Sequence, residues 1–290
     1  MRIILPLLAV FITLTTTRAA PPAIAPDSVA VLYNTNEDAS RDLALYYASR
    51  RNIPTSNLIG LPLAKDDAIS REDYNKTLRD PLKTLFKERD WFAQGKIRVL
   101  ACMRGVPFKV QRTPLPPAAD GTKPKPLGPN GKQDEAAVDA ELALLAVPDP
   151  EIKGPLQNPY YKQDQPIGRT NVQGLLLVGR IDGPSDQVCR RMIDDAVAVE
   201  PDGLWGMCYL DLAKKGAGYK IGDDWIETVA RQNGELGIPT VVDRNRDTFV
   251  TNYPMRDAAL YFGWYTTHRN GPFLNPEFEF PRGAVAVHLL

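Results

Sequence analysis

Arg180 and Asp182 follow directly on the apolar run Gly174-Leu-Leu-Leu-Val-Gly179. An arginine at a strand end can take a carboxylate in its planar fork. The neighbouring aspartate either serves the same ligand or closes the turn as an ion pair. Three other segments stand in the same relation to an apolar run: Arg104-Gly105, Tyr209 to Asp211, and Gly263 to His268. In open α/β sheets, ligands gather beyond the carboxyl ends of the strands, so these four places are where chemistry is expected. A hydrolytic site built there would draw on Asp139, Arg180, Asp182 and His268. A binding site would draw on Arg104, or on Trp264 and Tyr265 if the run Tyr261-Phe-Gly-Trp-Tyr265 lines a sugar or peptide groove rather than packing in the core.

Other chemistries find less support. The chain has three cysteines, Cys102, Cys189 and Cys208, and two histidines, His268 and His288. A thiol nucleophile needs an imidazole near it and a depressed pKa. Each cysteine instead sits among apolar residues, where an unpaired thiol packs as a small hydrophobe, although a Cys189–Cys208 bridge remains open. His288, in an apparent final strand, reads as a core or edge residue. No two cysteines have metal-type spacing. There is no Gly-x-Ser-x-Gly elbow, phosphate loop or dinucleotide fingerprint. No cofactor and no metal are therefore expected. The adjacent pairs Asp194-Asp195 and Asp223-Asp224 diverge on a helix and do not make a two-carboxylate site by themselves.

The elements that must position these residues alternate. Val29–Tyr33 reads as a first strand, followed by a helix capped by Ser40 and stopped at Asn52-Ile53-Pro54. Asn57 to Leu63 is a second strand. Ser70-Arg71-Glu72-Asp73 resembles a capping box, and the helix it opens meets Pro81, which kinks or divides it. Ile97–Cys102 is a strand. Residues 113–133, rich in proline, glycine and lysine, predict an exposed loop, with a helix over Asp134–Ala146 and an irregular stretch over 148–170. Gly174–Gly179 reads as a strand covered on both faces, and Ser185 caps the helix after it. Leu204–Leu210, a helix around Trp225, Ile238–Val242, Ala258–Phe262 and Gly283–Leu290 complete the series. No internal repeat is evident. This alternation predicts an α/β protein, a three-layer sandwich with a mainly parallel sheet.

With 43% hydrophobic and 24% charged residues, the composition is that of a globular protein. Lys+Arg and Asp+Glu balance at 35 each, which leaves no basic excess to steer the chain to nucleic acid or an anionic membrane. Met1-Arg2, the apolar stretch Ile3 to Leu14 and Thr17-Arg18-Ala19 read as a secretory signal peptide cut after Ala19. Its apolar core is too short to span a bilayer, and no second segment reaches spanning length. The expected organisation is a leader over 1–19 and one exported α/β domain over 20–290. The final Val287-His-Leu-Leu290 falls inside an apparent strand and suggests a piece of a longer protein.

Several segments in this order carry a resemblance. They are Val31-Leu-Tyr-Asn34, Tyr46-Tyr-Ala-Ser-Arg50-Arg-Asn-Ile-Pro54, Arg104-Gly-Val-Pro107, Ala137-Val-Asp-Ala-Glu-Leu142, Gly179-Arg-Ile-Asp-Gly-Pro184, Tyr261-Phe-Gly-Trp-Tyr265 and Gly283-Ala-Val-Ala-Val-His288. Together they resemble an exported bacterial family from species that carry exosortase, the proposed transpeptidase of the PEP-CTERM sorting system. That resemblance implies an envelope setting, with envelope proteins or glycans as partners, and brings no established reaction. The stretch from Gly179 to Gly263 also looks like the gingipain-type cysteine peptidases of caspase-like fold. Their Gly-His-Gly motif corresponds here to Gly263-Trp264-Tyr265, where a tryptophan replaces the base. This second resemblance implies an inactive relative or a fragment lacking half of its site. The resulting expectation is an exported, non-catalytic protein linked to protein sorting or surface assembly. The alternatives are an extracytoplasmic hydrolase, peptidase or glycan-active, and a carbohydrate-binding module built on Trp264 and Tyr265.

Overall fold

The computed structural model describes residues 24–92, 96–114, 134–147, 175–264 and 269–289. The leader, residues 115–133 of the expected loop, the stretch 148–170 and the candidates Tyr265 and His268 lie outside the described residues. In chain order, β1 (Val29–Asn34) leads to helix α1 (Asp38–Arg51), β2 (Leu58–Leu61) and β3 (Ala68–Ile69). Helix α2 (Arg71–Asp73) continues through a π-helical stretch, Tyr74–Arg79, into α3 (Asp80–Glu88). Then come β4 (Val99–Met103), β5 (Lys109–Val110), β6 (Ala136–Ala137), α4 (Val138–Leu142), β7 (Leu177–Ile181) and α5 (Asp186–Val199). The last part holds β8 (Met207–Asp211), α6 (Lys220–Leu236), β9 (Thr240–Asp243), β10 (Ala258–Trp264) and β11 (Val285–Leu289).

The α/β class with mainly parallel pairing is realised, but the parallel strands are divided between two four-stranded sheets. The N-terminal sheet has the order β2-β1-β4-β7 and the C-terminal sheet β11-β10-β8-β9. Every neighbouring pair in both is parallel. Counted by chain order within each sheet, both read second, first, third, fourth. In both, a long helix joins the first strand to the second: α1 in one, α6 in the other. The two halves thus repeat a topology that no sequence periodicity announced. Two-residue strands β3, β5 and β6 form a third, small sheet.

Strand alternation sends side chains to opposite faces. In the N-terminal sheet, Ala30, Leu32, Leu100 and Cys102 pack against Tyr74, Leu78, Leu82 and Phe86. Val29, Val31, Ala101 and Met103 pack against Leu43, Ala44 and Ala48 of α1 and Cys189 and Ile193 of α5. Helices therefore cover both faces, giving three layers. In the C-terminal sheet, Cys208, Leu210 and Leu212 meet Ile226 of α6. On its other face, Tyr209, Ala258 and Tyr261 meet Phe249 and Met255 from irregular segments and Phe273 from a short 3-10 turn, Gly271–Leu274. Each such Leu, Ile or Phe contributes about 1.5–3 kcal/mol by burial.

Several local expectations are met. Ser185 Oγ accepts the Val188 N–H and caps α5. Ser70 Oγ accepts the Asp73 N–H and donates to its carboxylate. Asn52 adopts a left-handed conformation and ends α1. Pro81 falls where the π-helical stretch passes into α3, so the helix changes its winding just before the proline expected to kink or divide it. Others need correction. Ser40 does not cap α1: it is buried inside the first turn, and its hydroxyl takes the N–H of Asn34 at the end of β1. The helix expected over Asp134–Ala146 contracts to Val138–Leu142, because Ala136-Ala137 pairs antiparallel with β5. The strand expected to be covered on both faces is β7, which pairs only with β4 and is half exposed. Among the described residues, no helix is long and apolar enough to cross a membrane.

Candidate functional site

The strand order places the crevices. In the N-terminal sheet the chain moves from β1 outward to β2, then crosses back to β4. The strand connections therefore diverge between β1 and β4, the place where open α/β sheets bind ligands. The Asn34 side chain ends β1 at 0% exposure and knits this point together. Its amide donates to Ala64 O at 3.0 Å and Gly105 O at 2.9 Å. Its carbonyl accepts the N–H groups of Asn36 and Leu63, each at 3.0 Å. Gly105, with φ of +92°, turns the chain away from β4, and a Cβ there would stand 2.7 Å from Glu37 Oε2. The left-handed φ favours glycine here, whereas the Glu37 carboxylate tip could swing aside for a Cβ.

A cleft of about 550 Å³ opens over this point. Glu37, Lys65, Asp66, Asp67, Arg104, Val106, Phe108 and Asp182 are among its walls. The Arg104 guanidinium is held by Gly183 O at 3.1 Å and the Asp186 carboxylate at 2.7 Å, with Asp182 at 4.0 Å. Asp182 accepts the Gly183 N–H at 2.8 Å. Four carboxylates face two cations in the walls, and one of those cations is already paired with Asp186 just behind. The cleft is half open and polar, with Phe108 and Val106 as its apolar patch.

Arg180 and Asp182 do not act together. Arg180 is 13% exposed and turns to Asp139, with Nε to Oδ2 at 3.0 Å and Nη2 to Oδ1 at 2.7 Å. It also donates to Val106 O at 2.5 Å and Pro107 O at 3.1 Å. Burial works against the Arg180 charge, and the bonds to Asp139 more than restore it, so its pKa rises. This is a forked clamp joining the Val106-Pro107 segment to the start of α4, with Nε, Nη1 and Nη2 each engaged within the protein. Both oxygens of Asp139 are occupied by it.

Trp264 also has internal duties. Its indole N–H donates to Asp223 Oδ1 at 2.9 Å, and its ring lies edge-on to Tyr219, 4.9 Å between centroids. Asp223 in turn accepts the N–H groups of Ala213 and Lys214 at the start of the segment into α6. The tryptophan is a strut between β10 and α6. Arg104 and Asp182 are thus brought to one cleft, Arg180 and Asp139 to one clamp, and Trp264 to the other sheet.

All three thiols are free and buried. Burial pushes Cys102 up to about 12, helped by the charge of Asp139. Burial likewise raises Cys189 and Cys208. Cys208 faces α6, whereas His288 lies tilted against Tyr261 on the opposite face of the sheet, 5.2 Å between ring centroids. Among the described residues, no group of three His, Cys, Asp or Glu side chains could hold a metal ion.

The C-terminal sheet has its own point of divergence, between β8 and β10. There Asp211 ends β8 at 1% exposure. Its Oδ2 accepts the Phe249 N–H at 3.2 Å and the Tyr261 hydroxyl at 3.3 Å. Its Oδ1 is buried with no partner. Burial, reinforced by Asp243, pushes this carboxyl up to about 7. Sequence reasoning named the segment ending at Asp211 but not the residue, and it passed over Glu37. The strand-end rule applied to Asn34-Thr-Asn-Glu37 would have found the latter. No family model, curated protein or solved structure matches the chain.

Proposed function

We propose that the protein is exported and acts as a non-catalytic, envelope-associated binding protein, a caspase-like relative without a working nucleophile. Its cleft between β1 and β4 holds a cationic group of its partner, an amine or a guanidinium. The observation that carries this reading is the charge of the cleft wall. Glu37, Asp66, Asp67 and Asp182 outnumber Lys65 and Arg104, and Arg104 is itself neutralised by Asp186. A volume of about 550 Å³ suits one side chain with its flanking backbone. The absence of turnover is supported by the burial of all three thiols and by the occupation of both Asp139 oxygens. A link to protein sorting or surface assembly is consistent with a cleft that reads a basic residue on another protein.

The test is titration calorimetry with acetyl-arginine amide and its uncharged citrulline counterpart. The arginine compound is expected to bind at millimolar or better affinity, and the citrulline compound far more weakly. Glu37→Gln and Asp182→Asn should each weaken binding about fivefold, since one partly exposed charge contact is worth about 1 kcal/mol. Equal binding of both compounds, or of neither, would overturn the reading. Release of a chromophore from an arginyl anilide that is lost in Asp182→Asn would replace it with the hydrolase alternative.

A further inference from the structure

We propose that Asp211 is a pH-operated latch for residues 244–257, closed when its carboxyl is neutral and loosened when it ionises. The inference begins with the repeated topology. Asn34 and Asp211 occupy the same station, the last residue of the first strand of each sheet. Each receives an N–H from the chain that follows the second strand, Leu63 in one case and Phe249 in the other. Asn34 then uses its amide N–H groups to bind Ala64 and Gly105. Asp211 has an oxygen where that amide nitrogen would be, and the oxygen is buried without a partner. A carboxylate has only acceptors, so the ionised form leaves a buried charge served by two long bonds from neutral donors. The neutral acid removes that buried charge and, like the amide, keeps an acceptor for Phe249 N–H.

The surroundings hold the charge less strongly than burial opposes it. Asp243 of β9 repels it, while the Phe249 N–H, the Tyr261 hydroxyl of β10 and Lys215, beyond β8, favour it without outweighing the desolvation. His288 of β11 lies tilted against the Tyr261 ring. Among the described residues, no salt bridge reaches Asp211. Gly263 closes the remaining side, where a Cβ would stand 2.6 Å from that of Asp211. Strands β8, β9 and β10 cannot move apart without breaking their ladders. Among the described residues, the non-ladder segment that bonds the Asp211 carboxylate directly is 244–257, pinned by Phe249 N–H on Asp211 and by Arg256, whose backbone exchanges two bonds with the Tyr209 hydroxyl, at 2.8 and 3.1 Å. Hydration of an ionised Asp211 therefore comes through this segment. Its displacement uncovers the strand-end crevice between β8 and β10. With the carboxyl raised to about 7, the range that matters lies in mildly acidic to neutral surroundings.

Hydrogen exchange of 244–257, corrected for the pH dependence of free peptides, tests the latch. Ionisation favours the open form, so opening should rise about tenfold per pH unit between the ordinary carboxylate range and 7, then level off. From pH 5 to 7 the increase is on the order of 100-fold in the wild type. Asp211→Asn should be flat. Asp243→Asn, which removes the repelling charge, should level off at a lower pH, and it decides the matter should Asp211→Asn fail to fold. An unchanged pH dependence in Asp211→Asn, an unmoved levelling point in Asp243→Asn, or no excess opening in the wild type would each overturn the proposal.

Discussion

Replacing Arg180 with methionine separates a structural clamp from a ligand-binding arginine. Methionine keeps much of the length and all of the apolar stem, so the perturbation is the loss of the guanidinium. Two carbonyls, Val106 O and Pro107 O, lose their donors. Each net bond of this kind is worth about 1 kcal/mol. The Asp139 carboxylate loses a forked partner, but at 31% exposure it rehydrates in part. The full penalty of about 3–5 kcal/mol for breaking a buried pair therefore does not apply, and about 1–2 kcal/mol is a better allowance. The sum is about 3–4 kcal/mol of lost stability, read by urea unfolding at neutral pH. Arg180→Lys should recover less than half, because a single ammonium cannot make a fork and two carbonyl bonds at once. Asp139→Asn should cost less than Arg180→Met. The double variant should cost about as much as Arg180→Met alone, since both changes remove one interaction. A stability for Arg180→Met within about 0.5 kcal/mol of wild type would refute the clamp and return Arg180 to the list of ligand-binding residues.

Trp264→Phe should lose about 1 kcal/mol by removing the indole donor from Asp223, which keeps its two backbone N–H partners, while leaving binding in the cleft between β1 and β4 unchanged. Loss of affinity for a soluble glycan with stability intact would instead make Trp264 a binding platform. A thiol reagent should label none of the three cysteines in the native protein within minutes and all three in urea, because each thiol is buried and its pKa raised by that burial. Rapid labelling of any one of them at neutral pH would contradict the burial.

How much of the site was legible follows from the range of each interaction. Arg104 and Asp182 were found because a strand end can be recognised from its apolar run, and strand ends collect in one plane of a parallel sheet. Their approach to 4.0 Å follows from β4 and β7 lying side by side in parallel. Arg180 was identified by the same rule and then misassigned to Asp182. Two residues apart in sequence is a weaker constraint than the side-chain directions that turn Arg180 toward α4. The segment ending at Asp211 was named by the same rule, but the residue was not singled out, because only its burial, set by what crosses above, distinguishes it. Glu37 lies three residues past the end of β1 and was passed over.

The sequence by itself determined the local elements. Alternation set the strands, Ser70 and Ser185 set two helix starts, Asn52 set a stop, and together they announced an α/β protein. These are decided by free energies acting over a few neighbouring residues, which the chain carries wherever it folds. Tertiary structure alone decided that the strands divide into two sheets of matching order, that Arg180 pairs across 41 residues with Asp139, and that Phe249 covers Asp211 from 38 residues away. Such contacts form only after long loops have closed. Their partners are selected by the packing of the whole fold rather than by the preference of either residue.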